Sequence, residues 1–377
     1  MPAWEGGEAA RGEAYCVLLA AEAVPAENSR KLTEEGTHVR SCAMGRRFQQ
    51  HNYRYLRHLI QQSLEDSPGF GTHVEVDGKI SRLDDGLWHE NYWFSIQGRG
   101  LPAARTKQAY VLRLLNQCED SRSGSEPRDR LVREAETLQV LKTTDFAHPT
   151  PEFICFVDDE MSRPIGMIET ALAGFSLHGS KERTTLKLTS QVAANVHRLD
   201  VERFRHLPRS DDPARHVRKR LDELDKALFA EFSLANEVLE WIEKHFPSGY
   251  GACVLHGDLL PQNLLCDWSA SDRDNSLVGI VDWEMTQVGD PAYDLAIVSR
   301  GNRKVLGMKE GVRVLVEEYV DSGGGPISLT DVRVHELLLV LNWLEEAWRE
   351  HQESQAGGHG PDFHEDKLRS LFGRVAG

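Results

Sequence analysis

A chain of 377 residues exceeds one ordinary domain and suits two lobes sharing a cleft, and its 40% hydrophobic and 27% charged content matches soluble globular proteins. Forty-four basic against 59 acidic residues leave a net charge of −15, which argues against nucleic acid or an anionic membrane as partner and favours a cationic ligand. No apolar run approaches the roughly 20 residues that span a bilayer, so no transmembrane helix is expected.

Residues 1–43 are rich in Gly, Ala and Glu and lack a sustained period. They are expected to be an appendage, either disordered or upstream of the physiological start, for which Met44 is the alternative. Their one apolar stretch, residues 15–24, is interrupted by Glu22 and preceded by Glu5, Glu8 and Glu13 against Arg11, the reverse of a secretory leader. Cys16, Cys42, Cys118, Cys155, Cys253 and Cys266 form no CxxC and no zinc spacing, so free thiols in a reducing cytoplasm are expected.

A helical period begins near Phe48 and runs through Tyr55, Leu56, Leu59, Ile60 and Leu64. Short strand patterns follow at Val74–Val76, Tyr92–Ile96 and Tyr110–Leu115, with Gly- and Asp-rich turns between the first of them, and predict an antiparallel sheet. Leu131–Leu141 returns to helical spacing, and strands resume at Phe153–Val157 and Ile165–Ile168. Residues 44–170 therefore read as a first lobe of strands, one helix, then strands. From 171 to 377 the pattern is mostly helical, at Leu186–Leu199, Val217–Phe232, Ala235–Phe246, Ala292–Ser299, Val312–Val320 and Val332–Arg349. The exception is Cys253–Trp283, where apolar strands bracket polar loops.

Residues 252–266 read ACVLHGDLLPQNLLC, and Asp282 closes the apolar strand Leu277–Val281. If Leu264–Cys266 and Leu277–Val281 pair as a hairpin, Asn263 and Asp282 meet. Two such oxygen donors suit magnesium, which takes one or two protein oxygens beside phosphates and water. Asp258, five residues before Asn263, then stands outside the metal's first shell, placed to accept the proton of an attacking hydroxyl.

The Asp-x4-Asn spacing followed by a second Asp matches a kinase catalytic loop. HGDLLPQN and IVDWEMTQVGDPAYDLA resemble the aminoglycoside phosphotransferase and choline kinase-like family. That resemblance implies an α+β, bilobal protein-kinase-like fold, with an N-terminal antiparallel sheet and a mostly helical C-terminal lobe, and phosphorylation of a small molecule. It implies Asp258 as catalytic base, Asn263 and Asp282 as magnesium ligands, and His256 as a shaper of the loop. Asp290, in Gly289–Asp290–Pro291, also reads as an N-cap with Pro at the first helical position. Asp294 matches the family's DLA motif and is expected to fix the lobe.

On the nucleotide side, G-x-G-x-x-G and a P-loop are both absent. ISRLDDGLWHENYWFSI resembles the family's shorter turn, with Gly86 and Asn91 on the matching positions. Arg113 stands where kinases keep a phosphate-touching lysine, or is an ordinary strand cation. Glu134 is its implied ion-pair partner, with Glu136 as competitor. Met167–Thr170, including Glu169, resembles the connector whose backbone meets adenine. ATP is the expected donor, with GTP open.

Three further groups are read as structural. His197 and Asp200 form a helix-end pair, the basic run Arg215–Arg220 a solvated face, and Leu337, Leu338, Leu341, Leu344 and Trp348 a core face. Glu345, Glu346 and Glu350 are candidates for an acceptor pocket, and His351, His359 and His364 carry no metal spacing. The chain is thus expected to be an ATP- and magnesium-dependent small-molecule kinase. Its charge and the resemblance favour an aminoglycoside or other amine-bearing acceptor. A non-catalytic nucleotide-binding module is the alternative, and the absence of H-R-D, D-F-G and A-P-E strings argues against a protein kinase.

Overall fold

A computed structural model describes Cys16, Val17 and residues 53–71, 73–83, 89–115, 127–159, 162–177, 183–225, 229, 233–267, 277–300, 308, 310–353 and 361–374. Cys16–Val17 is a short strand, β1. The first lobe comprises α1 (Tyr53–Glu65), β2 (Val74–Leu83), β3 (His89–Gly98), α2 (Ala103–Lys107), β4 (Ala109–Leu115), α3 (Pro127–Leu141), β5 (Phe153–Asp158) and β6 (Pro164–Thr170). The five strands β2 to β6 form one antiparallel sheet in the order β2-β3-β4-β6-β5.

The two faces of this sheet follow from the alternation of side chains along β4. Tyr110, Leu112 and Leu114 point to one side and join Phe94, Ile96 and Ile168 beneath Leu56, Ile60 and Leu64 of α1. Val111 and Arg113 point to the other side, where α3 brings Leu131, Ala135 and Leu138 against Met167. Covering on both faces explains why YVLRLL is nearly continuous in its apolar character.

The second lobe comprises β7 (Gly174–Ser176), α4 (Arg183–His197), α5 (Pro213–Glu223), α6 (Ser233–Lys244), β8 (Cys253–Leu255), β9 (Leu264–Cys266), β10 (Leu277–Ile280), β11 (Gln287–Gly289), α7 (Ala292–Ser299), α8 (Gly311–Asp321), α9 (Leu329–Glu353) and α10 (Pro361–Phe372). Strands β1, β7, β9 and β10 make one small sheet, and β8 pairs with β11. Every residue of α7 is buried, as its apolar sequence AYDLAIVS requires of a helix enclosed on all sides. No helix among the described residues is long and apolar enough to cross a membrane.

Three helices depart from the sequence pattern. The helix expected over Val217–Phe232 ends at Glu223, because Leu224 turns extended into the core and the Asp225 amide donates to Glu345 at 3.3 Å. It starts earlier than expected, at Pro213, where the Asp212 side chain caps the Arg215 amide. Helices α2 and α10 were not expected; α10 lies in the tail that reads as Gly-rich, and buries Leu368 and Leu371 against α9.

Glu169 requires a correction. It lies inside β6 and is paired on both sides, with Val111 of β4 and Phe153 of β5, so its backbone belongs to the sheet and not to the connector. The connector begins at Ala171, whose amide still donates to Ala109 O at 2.8 Å. The Glu169 side chain is buried on the Arg113 face. Burial pushes its carboxyl up to about 7, with Arg113 opposing and Asp282 reinforcing. Because its folded pKa exceeds the unfolded one, the folded state holds the extra proton below about pH 7, and that stabilisation is lost as pH rises through 7. Glu169→Gln is expected to be near neutral at pH 5 and to raise the melting temperature relative to the parent chain at pH 8, measured by thermal unfolding at both pH values.

Candidate active site

The loop from His256 to Asn263 is set by one short hairpin. β9 and β10 pair antiparallel with Leu264 opposite Ile280, and the Val281 amide donates to Asn263 O at 3.0 Å. Asn263 thereby comes beside the 281–282 segment. A single 3-10 turn, Pro261–Asn263, brings Asn263 back on Asp258: its Nδ2 donates to Asp258 O at 2.8 Å and to Asp258 Oδ2 at 3.0 Å. The Asn263 Oδ1 atom is left with no partner among the described residues.

His256 is fully buried, and its ring is fixed by two backbone groups. Its Nε2 lies 3.1 Å from Val281 O and its Nδ1 3.3 Å from the Asp258 amide. A carbonyl only accepts and an amide only donates, so the ring is the neutral Nε2–H tautomer. Burial favours that same neutral form. Asp294 holds the loop from below: its two oxygens accept the His256 and Gly257 amides at 2.8 and 2.9 Å, and His197 Nε2 lies 3.1 Å away. Gly257 has φ of +84°, and a Cβ there would lie 1.9 Å from Met285 O, so only glycine fits. The half-buried Asp258 carboxyl is pushed up to about 6 by burial and by Asp282, while Arg300 and Asn263 pull the other way.

Across the cleft, both terminal nitrogens of Arg113 are engaged. Its Nη1 donates to Glu134 Oε1 at 2.6 Å, and its Nη2 donates to Asp282 Oδ1 at 2.9 Å, with Glu284 Oε2 at 3.8 Å. Its place in a buried central strand rules out an ordinary strand cation, and the exposed Glu136 is not its partner. Glu134 Oε1 also accepts the Trp283 amide at 3.0 Å. Asp282 sits at φ +69°, a left-handed conformation that is uncommon outside glycine and frequent at functional sites. Although burial pushes its carboxyl up, the Arg113 charge and hydrogen bond hold it below the ordinary value.

Two residues here escaped the sequence reading. Glu284 is buried, lies 3.2 Å from His89 Nδ1, and has a carboxyl pushed up to about 7 by burial and Asp282. His89 is held neutral by burial and by Arg113, which lower it to about 3. The only available sign was Glu284 standing between Trp283 and Met285 inside a motif. Among the described residues, oxygens of Glu134, Asp282 and Glu284 gather within 4.8 Å, and Arg113 supplies their balancing charge. Asn91 lies opposite Arg113 on β3, with a buried Oδ1 that has no partner among the described residues. Gly86 lies outside the described residues.

The remaining candidates are mostly structural. Asp290 is buried; its Oδ1 accepts the Ala292 amide at 2.9 Å and Tyr250 OH at 3.1 Å, and its Oδ2 is 2.8 Å from His335 Nε2. It starts α7 and ties it to α9. His197 and Asp200 are not a pair: Asp200 accepts the Glu202 amide, while His197 joins Asp294 to Tyr319 OH. The basic run is only partly a solvated face, since His216 is buried and accepts the Asp290 amide, and Arg220 lies 4.7 Å from the Tyr293 ring. Glu345 is consumed by Arg349 at 2.6 Å and the Asp225 amide.

The model of the phosphotransferase enzyme family APH matches residues 79–326. Bacillus subtilis (strain 168) YcbJ, an uncharacterized protein, is 35% identical over 74 residues, which span 20% of this chain and 21% of YcbJ. The GDP and kanamycin complex of APH(2")-IIia superposes with a TM-score of 0.56 at 16% identity, covering 85% of this chain and 98% of that one. The macrolide 2'-phosphotransferase MphH from Brachybacterium faecium gives a TM-score of 0.55 at 19% identity, covering 81% and 96%. The matched segment carries β3, β4, α3 and the whole loop from His256 to Asp294, so the shared fold and the clustered side chains coincide, and the chain belongs to the phosphotransferase enzyme family.

Proposed function

We propose that this chain transfers the γ-phosphoryl group of ATP to a hydroxyl of a small acceptor. The observation that carries the reading is the placement of Asn263 beside the 281–282 segment at the end of one hairpin, with Asp258 hydrogen-bonded to Asn263 and Arg113 reaching Asp282 from the other lobe. The donor set fits magnesium: Asn263 Oδ1 and the second oxygen of Asp282 have no partner among the described residues, and no soft ligand stands beside them. When bound, magnesium supplies charge neutralisation for the phosphoryl group in transfer.

Asp258 orients the acceptor hydroxyl and takes its proton, and Asn263 fixes the Asp258 carboxylate through Nδ2. Arg113, steadied by Glu134, holds Asp282 through its planar fork and brings positive charge to the nucleotide side. Asn91, one strand away, lies within the same region. Catalysis rests on positioning and charge stabilisation, with no covalent enzyme intermediate. ATP as donor is a family expectation, and GDP occurs in the named complex of APH(2")-IIia.

Two outcomes test this reading. In a coupled ADP-release screen across aminoglycosides, macrolides, amino alcohols and hydroxy acids, Asp258→Asn should lower kcat by roughly 10²–10⁴ while nucleotide affinity stays within a few-fold. Magnesium-dependent nucleotide binding with no turnover on any acceptor, unchanged by Asp258→Asn, would identify the non-catalytic binding module instead. Arg113→Lys keeps the charge but loses the fork, so the KM for ATP should rise more than kcat falls, read from steady-state kinetics at saturating acceptor.

A further inference from the structure

Between α3 and β5 the chain runs through residues 142–152, a stretch outside the motifs that carry the chemistry. His148 and Thr150 each precede a proline, which pushes both toward extended backbone and stiffens AHPTP. This strap leaves the first lobe and is tied to the second at three points. Arg203 Nη2 donates to Thr143 O at 2.8 Å. Asn195 of α4 meets His148 Nε2 through its Nδ2 at 2.6 Å. The Ile280 amide of β10 donates to Pro149 O at 3.0 Å.

The middle tie has one polarity. A guanidinium only donates, so the Asn195 oxygen is the atom taken by Arg198; its Nδ2 then donates to the ring, and His148 Nε2 accepts. Burial and the Arg198 charge lower the His148 pKa, which favours that accepting form.

Further contacts converge on the backbone around Asp282. Phe146 stands edge-on to Trp283, with ring centroids 5.7 Å apart at 83°, and edge-on to His148 at 5.5 Å and 80°. Trp283 is fully buried, and its Nε1 donates to Ile280 O at 3.3 Å. Gly279 permits the close approach, since a Cβ there would lie 3.3 Å from Pro149 O and 2.3 Å from Leu172 Cδ1. Ile280, two residues before Asp282, and Trp283, one residue after it, are thus both held by residues 146–149. Asp282 between them has φ of +69°, a conformation that persists only where the surroundings impose it.

We infer that Phe146, His148 and Asn195 are positioning residues for Asp282: acting through Pro149, Ile280 and Trp283, the strap fixes the backbone step that aims the Asp282 carboxylate at its metal. This deepens the phosphotransfer reading and rests on Asp282 holding magnesium.

The test measures ADP affinity of the full chain by calorimetry, with and without magnesium, beside the melting temperature. The ratio of the two affinities reads the metal at Asp282, and the metal-free value reads the rest of the cleft. Phe146→Leu, His148→Leu and Asn195→Leu should each lower the magnesium enhancement about fivefold, the scale of one aromatic pair or one hydrogen bond, with metal-free affinity within about twofold of the parent chain. His148→Gln, whose Oε1 can accept from Asn195, should recover most of the enhancement. The variants are made singly, so one that fails to fold leaves the others to decide. A lowered melting temperature with the enhancement unchanged, an equal loss of metal-free and metal-bound affinity, or equal behaviour of His148→Gln and His148→Leu overturns the inference. A parent chain whose ADP affinity magnesium does not raise overturns the reading of Asp282 and this inference with it, whereas enhancement that the parent shows and every variant keeps overturns the positioning role alone.

Discussion

The guanidinium of Arg113 is the point on which the cleft depends. It is buried, permanently charged, and surrounded by Glu134, Asp282, Glu284 and Glu169. An arginine in that setting is tolerable only because the carboxylates offset the cost of taking it out of water, and the carboxylates are tolerable only because of the arginine. The cluster joins β4, α3 and the segment after β10, so it fixes where the two lobes meet. Glu134 Oε1 serves both Arg113 and the Trp283 amide, which clamps the chain just after the left-handed Asp282. Strain at Asp282 persists because the first lobe holds both ends of that step.

A second, independent anchor positions Asp258. Asp294 emerges from a helix buried on all sides and accepts two successive amides of the loop, which leaves the His256–Gly257 turn no freedom to relax. His256 then closes the loop onto Val281, and Asn263 closes it onto Asp258 itself. Asp258 is thus held in place by its neighbours, while its carboxyl is raised by burial and Asp282. The two anchors act on different segments, one after β10 and the other after β8. Carboxylates of Glu134, Asp282 and Glu284 gather around Arg113.

Most of the architecture was legible in local patterns. The antiparallel first lobe followed from short alternating strands, and the hairpin that unites Asn263 with the 281–282 segment followed from two apolar runs around a polar loop. Helix boundaries failed where tertiary contacts override propensity, as at Leu224, where core burial and Glu345 end α5 early. Glu169 was misplaced because its sequence context does not tell the last residues of a central strand from the connector that follows.

The sequence by itself determined the order and spacing of Asp258, Asn263, Asp282 and Asp294, because a loop, a turn and one hairpin bring the first three together over few residues. The tertiary structure alone decided that His89 and Glu284 join Arg113, and that His335 of α9 meets Asp290 at the start of α7. Those contacts join residues far apart in the chain, whose meeting depends on how helices and sheet pack, and no local period or motif records that. Composition sums charge over the whole surface, whereas packing decides which few charges stand next to a given side chain.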